Sequence, residues 1–205
     1  MKKALIFDLD DTVYPIKAIA DDMYAELYAL IRQHTSEDVY QNACEDLLTT
    51  PFEKVADRYQ FDKELKHDGL KMCLDLYYHG EMKPFDDYLL TRTLQADKFL
   101  VTAGYTKLQK SKIKQLGVEK DFKEIFIPDP AKSNLSKTDV FREILQQYQY
   151  EPKDVLVIGD NPEAEIEAAK ELDIETFLYD YQEKYSPALA DYYATNYSVL
   201  IELLK

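Results

Sequence analysis

Asp8, Asp10 and Asp11 stand within four positions directly after the apolar run ALIF. Carboxylates this close repel one another and weaken any strand they belong to. Residues two apart on an extended chain project to the same side, so Asp8 and Asp10 can share one site while Asp11 points elsewhere. A second acidic group, Asp160, Asn161, Glu163 and Glu165 in GDNPEAEI, closes the apolar run DVLVIG. Carboxylates that converge from two strands need a cation between them, and hard oxygen ligands of this kind suit Mg2+. The plainer alternative is that Asp160 and Asn161 cap a helix and the two glutamates favour its positive end. Thr102 in VTAG offers a hydroxyl, and Gly104 opens a helix whose free N–H groups suit a phosphate. Lys137 stands at the start of a helix, where the macrodipole disfavours a cation. Lys132 is its competitor in the same loop.

These groups need a scaffold that brings distant positions to one edge. Residues 3–8, 97–102, 124–127, 154–159 and 174–179 read as short buried strands. Helical patterns alternate with them over 105–116, ending at Gly117 as a C-cap, over 138–149, and over 162–172 with Asn161 as N-cap and Pro162 at the first helical position. This alternation predicts an α/β, Rossmann-like, three-layer α/β/α fold around a parallel sheet. From Pro15 to Lys83 no strand is expected. Ile16, Ile19, Ala20, Met23, Leu27, Leu30 and Ile31 make a helical stripe, and further helices are expected near 36–49, 51–59 and 62–78. The expected organisation is a catalytic core of 1–14 and 84–205 with a small all-helical cap, 15–83, inserted after the first strand. Ligands of open α/β sheets bind beyond the carboxyl ends of the strands, where the acidic groups fall.

Composition narrows the partners. With 205 residues, 46% of them hydrophobic, the chain can fill one full core. No apolar run approaches the ~20 residues of a membrane helix. MKKALIFDLDD starts like a signal peptide, but acids follow too soon, which reads as the first core strand of a cytoplasmic protein. A net charge of −14 without a basic stripe disfavours nucleic-acid backbone and anionic membranes. An anionic substrate must then be attracted locally. Cys44 and Cys73 read as buried free thiols. His34, His67 and His79 lack metal-like clustering. The 17 tyrosines, several of them in the cap, read as helix packing with hydroxyls at the surface, with stacking of some on a base or sugar as the alternative.

DLDDT (8–12), VTAG (101–104), Lys137 in SKTDVF and GDNPEAEI (159–166) come in an order and spacing that resemble the haloacid dehalogenase superfamily, in its phosphatase branch, with the helical segment in the place of that family's first cap. DLDDTVYP, VTAGYTKLQKSKI and GDNPEAEI look most like members similar to pyrimidine 5′-nucleotidases. The resemblance implies that Asp8 is the nucleophile, giving an aspartyl-phosphate, and that Asp10 is the general acid and base. It implies that Thr12 holds the turn, that Thr102, Ala103 and Lys137 bind the phosphoryl oxygens, and that Asp8, the Asp10 backbone carbonyl and Asp160 hold Mg2+. Glu165 stands where many members have Asp. The implied activity is Mg2+-dependent hydrolysis of a small phosphorylated metabolite, of nucleoside monophosphate or sugar phosphate type. Phosphotransfer, phosphonate cleavage and an inactive binding protein are the alternatives. Family members that cleave carbon–halogen bonds lack the acid at the position of Asp10.

Overall fold

The structure, a computed structural model, describes residues 2–205. Six strands form one sheet in the order β3-β2-β1-β4-β5-β6. They are β1 (Ala4–Phe7), β2 (Asp97–Val101), β3 (Glu124–Phe126), β4 (Val155–Gly159), β5 (Glu175–Tyr179) and β6 (Tyr192–Ala194), and every pairing is parallel. The first five were expected. Phe7 lies opposite both Leu100 and Ile158, so β1, β2 and β4 end level and the residues that follow them emerge side by side.

Buried side chains alternate between the two faces with the period of a strand. Leu5, Phe7, Leu100, Leu156 and Ile158 pack on one face with Leu108 and Ile113 of α6 (Thr106–Leu116) and Leu200 of α9 (Ser198–Leu203). Ala4, Ile6, Phe99, Val101 and Val157 pack on the other with Val140, Phe141 and Ile144 of α7 (Lys137–Tyr148) and Ala168 and Ala169 of α8 (Glu167–Lys170). Each fully buried Leu, Ile or Phe stabilises this three-layer arrangement by roughly 1.5–3 kcal/mol. Gly117 ends α6 in the left-handed region, φ 65°, as its place after the last helical residue predicted.

Only helices lie between β1 and β2: α1 (Ala20–Met23), α2 (Ala25–His34), α3 (Glu37–Asp46), α4 (Phe52–Arg58) and α5 (Lys63–Asp75), with short 3-10 turns. Their own core holds Leu27, Ile31, Ala43, Phe52, Val55 and Leu65. The stripe from Ile16 to Ile31, which the sequence suggested was continuous, is broken. Ile16 lies in a 3-10 turn, Ile19 and Tyr24 leave helical geometry, and two cores share the stripe. Ile16, Ile19 and Met23 pack with the sheet, whereas Leu27 and Ile31 pack within the inserted helices. The helix expected over 162–172 also differs. It begins as a single π turn, Pro162–Ile166, and becomes α-helical only as α8.

Candidate active site

The loop after β1 turns sharply at Asp11, whose φ is 51°. Its carboxylate faces away from the neighbouring acids, accepting from the Ile16 amide at 3.0 Å and the Tyr181 hydroxyl at 2.9 Å. The Tyr197 hydroxyl donates to the Thr12 carbonyl oxygen at 2.8 Å, and the Thr12 hydroxyl donates to Asp160 at 3.2 Å. Thr12 thus links the loop after β1 to the loop after β4.

Asp8, Asp160 and Glu165 meet at the sheet edge, each with a carboxylate oxygen within 4.8 Å of the others. Glu165 reaches them from the π turn. The space for it exists because position 159 is glycine, since a Cβ there would lie 2.8 Å from the Glu165 Cβ. Lys137, the first residue of α7, donates to Asp8 at 2.5 Å and to Glu165. Its neighbour Ser136 closes a capping box with Asp139, which fixes where the helix starts. The cation at the unfavourable helix end is explained by two buried carboxylates. Lys132 is exposed and serves Thr106 and Asp129 instead, at 2.8 and 2.9 Å. Burial pushes the Asp8 carboxyl up, and Glu165 and Asp10 add to it against the opposing pull of Lys137. Burial, then Glu165 and Asp8, also push Asp160 well up. Three hard carboxylates held together at such a cost fit a divalent cation. The set includes Glu165, to which the sequence alone gives only a secondary place.

Asp10 is held apart from this cluster. Its carboxylate accepts from Lys112 at 2.7 and 2.8 Å, from the Tyr14 hydroxyl, and from Gln109 Nε2 at 3.3 Å. Burial pushes its pKa up, but Lys112 and the hydrogen bonds outweigh this and hold it below the usual carboxylate range. Gln109 Nε2 also donates to the Thr102 hydroxyl oxygen at 2.7 Å and to the Ala103 carbonyl at 3.0 Å. Thr102 and Ala103 line the same cavity as Asp8 and Lys137.

The expectation at Gly104 needs correction. The Gly104 amide is not free for a phosphate, because it donates to the Pro128 carbonyl at 3.0 Å. The helix begins two residues later, and the Thr106 amide is taken by Asp129 at 2.9 Å. Asn161 acts as a cap, accepting from the Glu163 amide at 2.9 Å, while its own amide donates to Glu165 at 3.3 Å. Cys73 is buried as expected, and Cys44 is only partly so; both are free thiols. No helix among the described residues is long and apolar enough to cross a membrane.

The family of haloacid dehalogenase-like hydrolases matches residues 2–173. The chain belongs to that family. A glyceraldehyde 3-phosphate phosphatase from Methanopyrus kandleri is 24% identical over 189 residues, covering 82% of this chain and 80% of that protein. Among solved structures, the haloacid dehalogenase-like hydrolase SP0104 from Streptococcus pneumoniae matches with a TM-score of 0.74 at 16% identity, covering 100% of this chain and 99% of that one. The HAD-hydrolase YfnB from Bacillus subtilis, solved with magnesium, matches at 0.71 and 16%, covering 99% and 98%. The L-2-haloacid dehalogenase of Xanthobacter autotrophicus matches at 0.62 and 14%, covering 99% and 98%. Such likeness shows the fold that this haloacid dehalogenase-like chain shares with them.

Sequence reasoning missed Lys112, Gln109 and Tyr14 in this family site. Lys112 carried a signal. It stands four residues after Leu108 and four before Leu116, a cation within the buried stripe of α6, and its side chain is 3% exposed. A lysine in such a stripe requires a buried acid.

Proposed function

We propose that the chain is a Mg2+-dependent phosphomonoester hydrolase acting on a small phosphorylated metabolite. The observation that carries this is Asp8 at the end of β1, ion-paired to Lys137 at 2.5 Å and converging with Asp160 and Glu165. Asp8, Asp160 and Glu165 would hold the Mg2+, with the Asp10 backbone carbonyl as a further ligand. When bound, the metal supplies positive charge against which two anions can meet.

Asp8 is the nucleophile. Its oxygen bonds to phosphorus as the bond from phosphorus to the leaving oxygen breaks, and Asp10 gives that oxygen a proton. Asp10 must therefore arrive protonated. In the second step Asp10, now ionised, takes a proton from the water that attacks the aspartyl-phosphate, and phosphate leaves. Lys112 and the hydrogen bonds to Asp10 lower its pKa, which favours the ionised form that the second step needs and works against the protonated form that the first requires. Lys137 and Thr102 face the phosphoryl oxygens, and Lys137 offsets part of their charge. The phosphatase relative from Methanopyrus kandleri supports this reading, and so does the acid at position 10, which a carbon–halogen bond does not need.

Phosphate release from phosphorylated metabolites, with and without Mg2+, tests the proposal. The expected result is Mg2+-dependent release that Asp8→Asn abolishes. Release that persists in Asp8→Asn would rule out this nucleophile.

A further inference from the structure

Building on the phosphatase reading, we propose that the leaving group of the substrate is short, uncharged and hydroxylated, as in a phosphorylated triose or tetrose polyol. Three observations at the catalytic cavity converge on this.

The first is size. The cavity between the sheet edge and the inserted helices has a volume of about 170 Å³. That is below the ~300–1,000 Å³ of pockets for drug-sized ligands. The phosphoryl group beside Asp8, Thr102 and Lys137 takes part of it. The remainder suits a leaving group smaller than a nucleoside.

The second is charge. Every ionised side chain lining the cavity lies at the sheet edge or on α6 and α7, and both lysines are already paired, Lys137 with Asp8 and Glu165, Lys112 with Asp10. The facing wall of Tyr24, Leu48, Thr50, Phe52 and Cys73 offers no charge; burial pushes the Cys73 thiol up to about 12, so it stays neutral. A carboxylate, second phosphate or ammonium on the leaving group would be buried there without a partner, which is strongly unfavourable.

The third is hydrogen bonding. Tyr24 and Thr50, two residues that carry hydroxyls, also line the wall. Gln109 lines the cavity too, and its Oε1 is the one buried side-chain polar atom among the described residues with no partner. An acceptor left unpaired carries a desolvation cost, and a small side-chain shift that opened it to the cavity would let a donating hydroxyl relieve it. Apolar leaving groups would not relieve it.

The test is steady-state kinetics of the full chain with Mg2+ on four probes. Glycerol 3-phosphate has the proposed character, 3-phosphoglycerate adds a carboxylate at similar size, uridine monophosphate adds bulk, and acetyl phosphate reports turnover at Asp8 alone. The expected kcat/KM for glycerol 3-phosphate exceeds those for 3-phosphoglycerate and uridine monophosphate by on the order of 100-fold or more. Thr50→Arg, which puts a cation on the neutral wall, should narrow the gap between the two three-carbon probes about 10-fold. Equal or better hydrolysis of 3-phosphoglycerate or uridine monophosphate would overturn the proposal, as would a gap that Thr50→Arg leaves unchanged. Turnover of acetyl phosphate with either result would leave the phosphatase reading standing. No phosphate from any probe, acetyl phosphate included, would overturn both.

Discussion

At the scale of single residues, two lysines decide which carboxylates stay charged. Lys112 is buried and its partner Asp10 partly so, and removing one partner of a buried pair costs up to about 3–5 kcal/mol. Lys112→Met should therefore lower the urea midpoint sharply. Asp10→Asn added to it should recover most of that loss, because the orphaned charge goes with it; a double variant as unstable as the single one would mean that Lys112 acts through packing alone. Lys137→Ala should cost on the order of 10²–10³ in kcat, the scale of losing one preorganised charge beside the reacting group. Asp129 gives the pH dependence. Burial raises its pKa, but the Thr106 hydroxyl and amide, then Lys132 and the Ala131 amide, outweigh that and hold it down at about 2. A carboxylate with a depressed folded value stabilises fully above its unfolded value of about 3.9, and loses that contribution as the pH falls through 2. Unfolding followed from pH 5 to pH 2 should show this decline, flattened in Asp129→Asn. The acids and Lys137 were legible in sequence because each sits at the end of an apolar run or at the wrong end of a helix. Gln109 was not, since a glutamine on a helix carries no charge conflict to betray it.

At the scale of elements, the buried strands announced themselves by short apolar runs, and the level ends of β1, β2 and β4 followed from parallel pairing. β6 did not. Three residues, Tyr192, Tyr193 and Ala194, on a sheet edge need no apolar run. Nor was the π turn legible, because Pro162 and Asn161 are also ordinary helix-start residues and the extra backbone residue leaves no compositional mark. That turn is what carries Glu165 back over β4, and π turns recur at functional sites. Gly159→Ala tests it. The added methyl meets Glu165 at 2.8 Å to its Cβ and Cγ, so the glutamate must move or the strand must shift, costing about 1–3 kcal/mol. Mg2+ affinity measured by calorimetry should fall with it. Unchanged affinity would place Glu165 outside the metal site.

At the scale of the whole molecule, the charge of −14 sets a field that opposes any phosphorylated substrate. Screening shortens from ~30 Å at 0.01 M salt to ~8 Å at 0.15 M, so kcat/KM should rise modestly over that range rather than fall, as it would for a steered anion. The same excess of acid makes a bound cation stabilising: at a hundred times its Kd, Mg2+ adds about 2.7 kcal/mol to the folded state, which a melting experiment will read as a higher Tm. The clamps on the Asp8–Thr12 loop also have a consequence in time. Tyr181 and Tyr197, whose hydroxyls bind Asp11 and Thr12, stand 170 and 185 residues further along the chain. At ~5–20 residues per second, the ribosome makes the nucleophile first and the parts that fasten its loop roughly ten to forty seconds later. A nascent chain halted after α8 already owns every carboxylate of the site yet lacks both fastenings, which the loop gains only when the last strands are made.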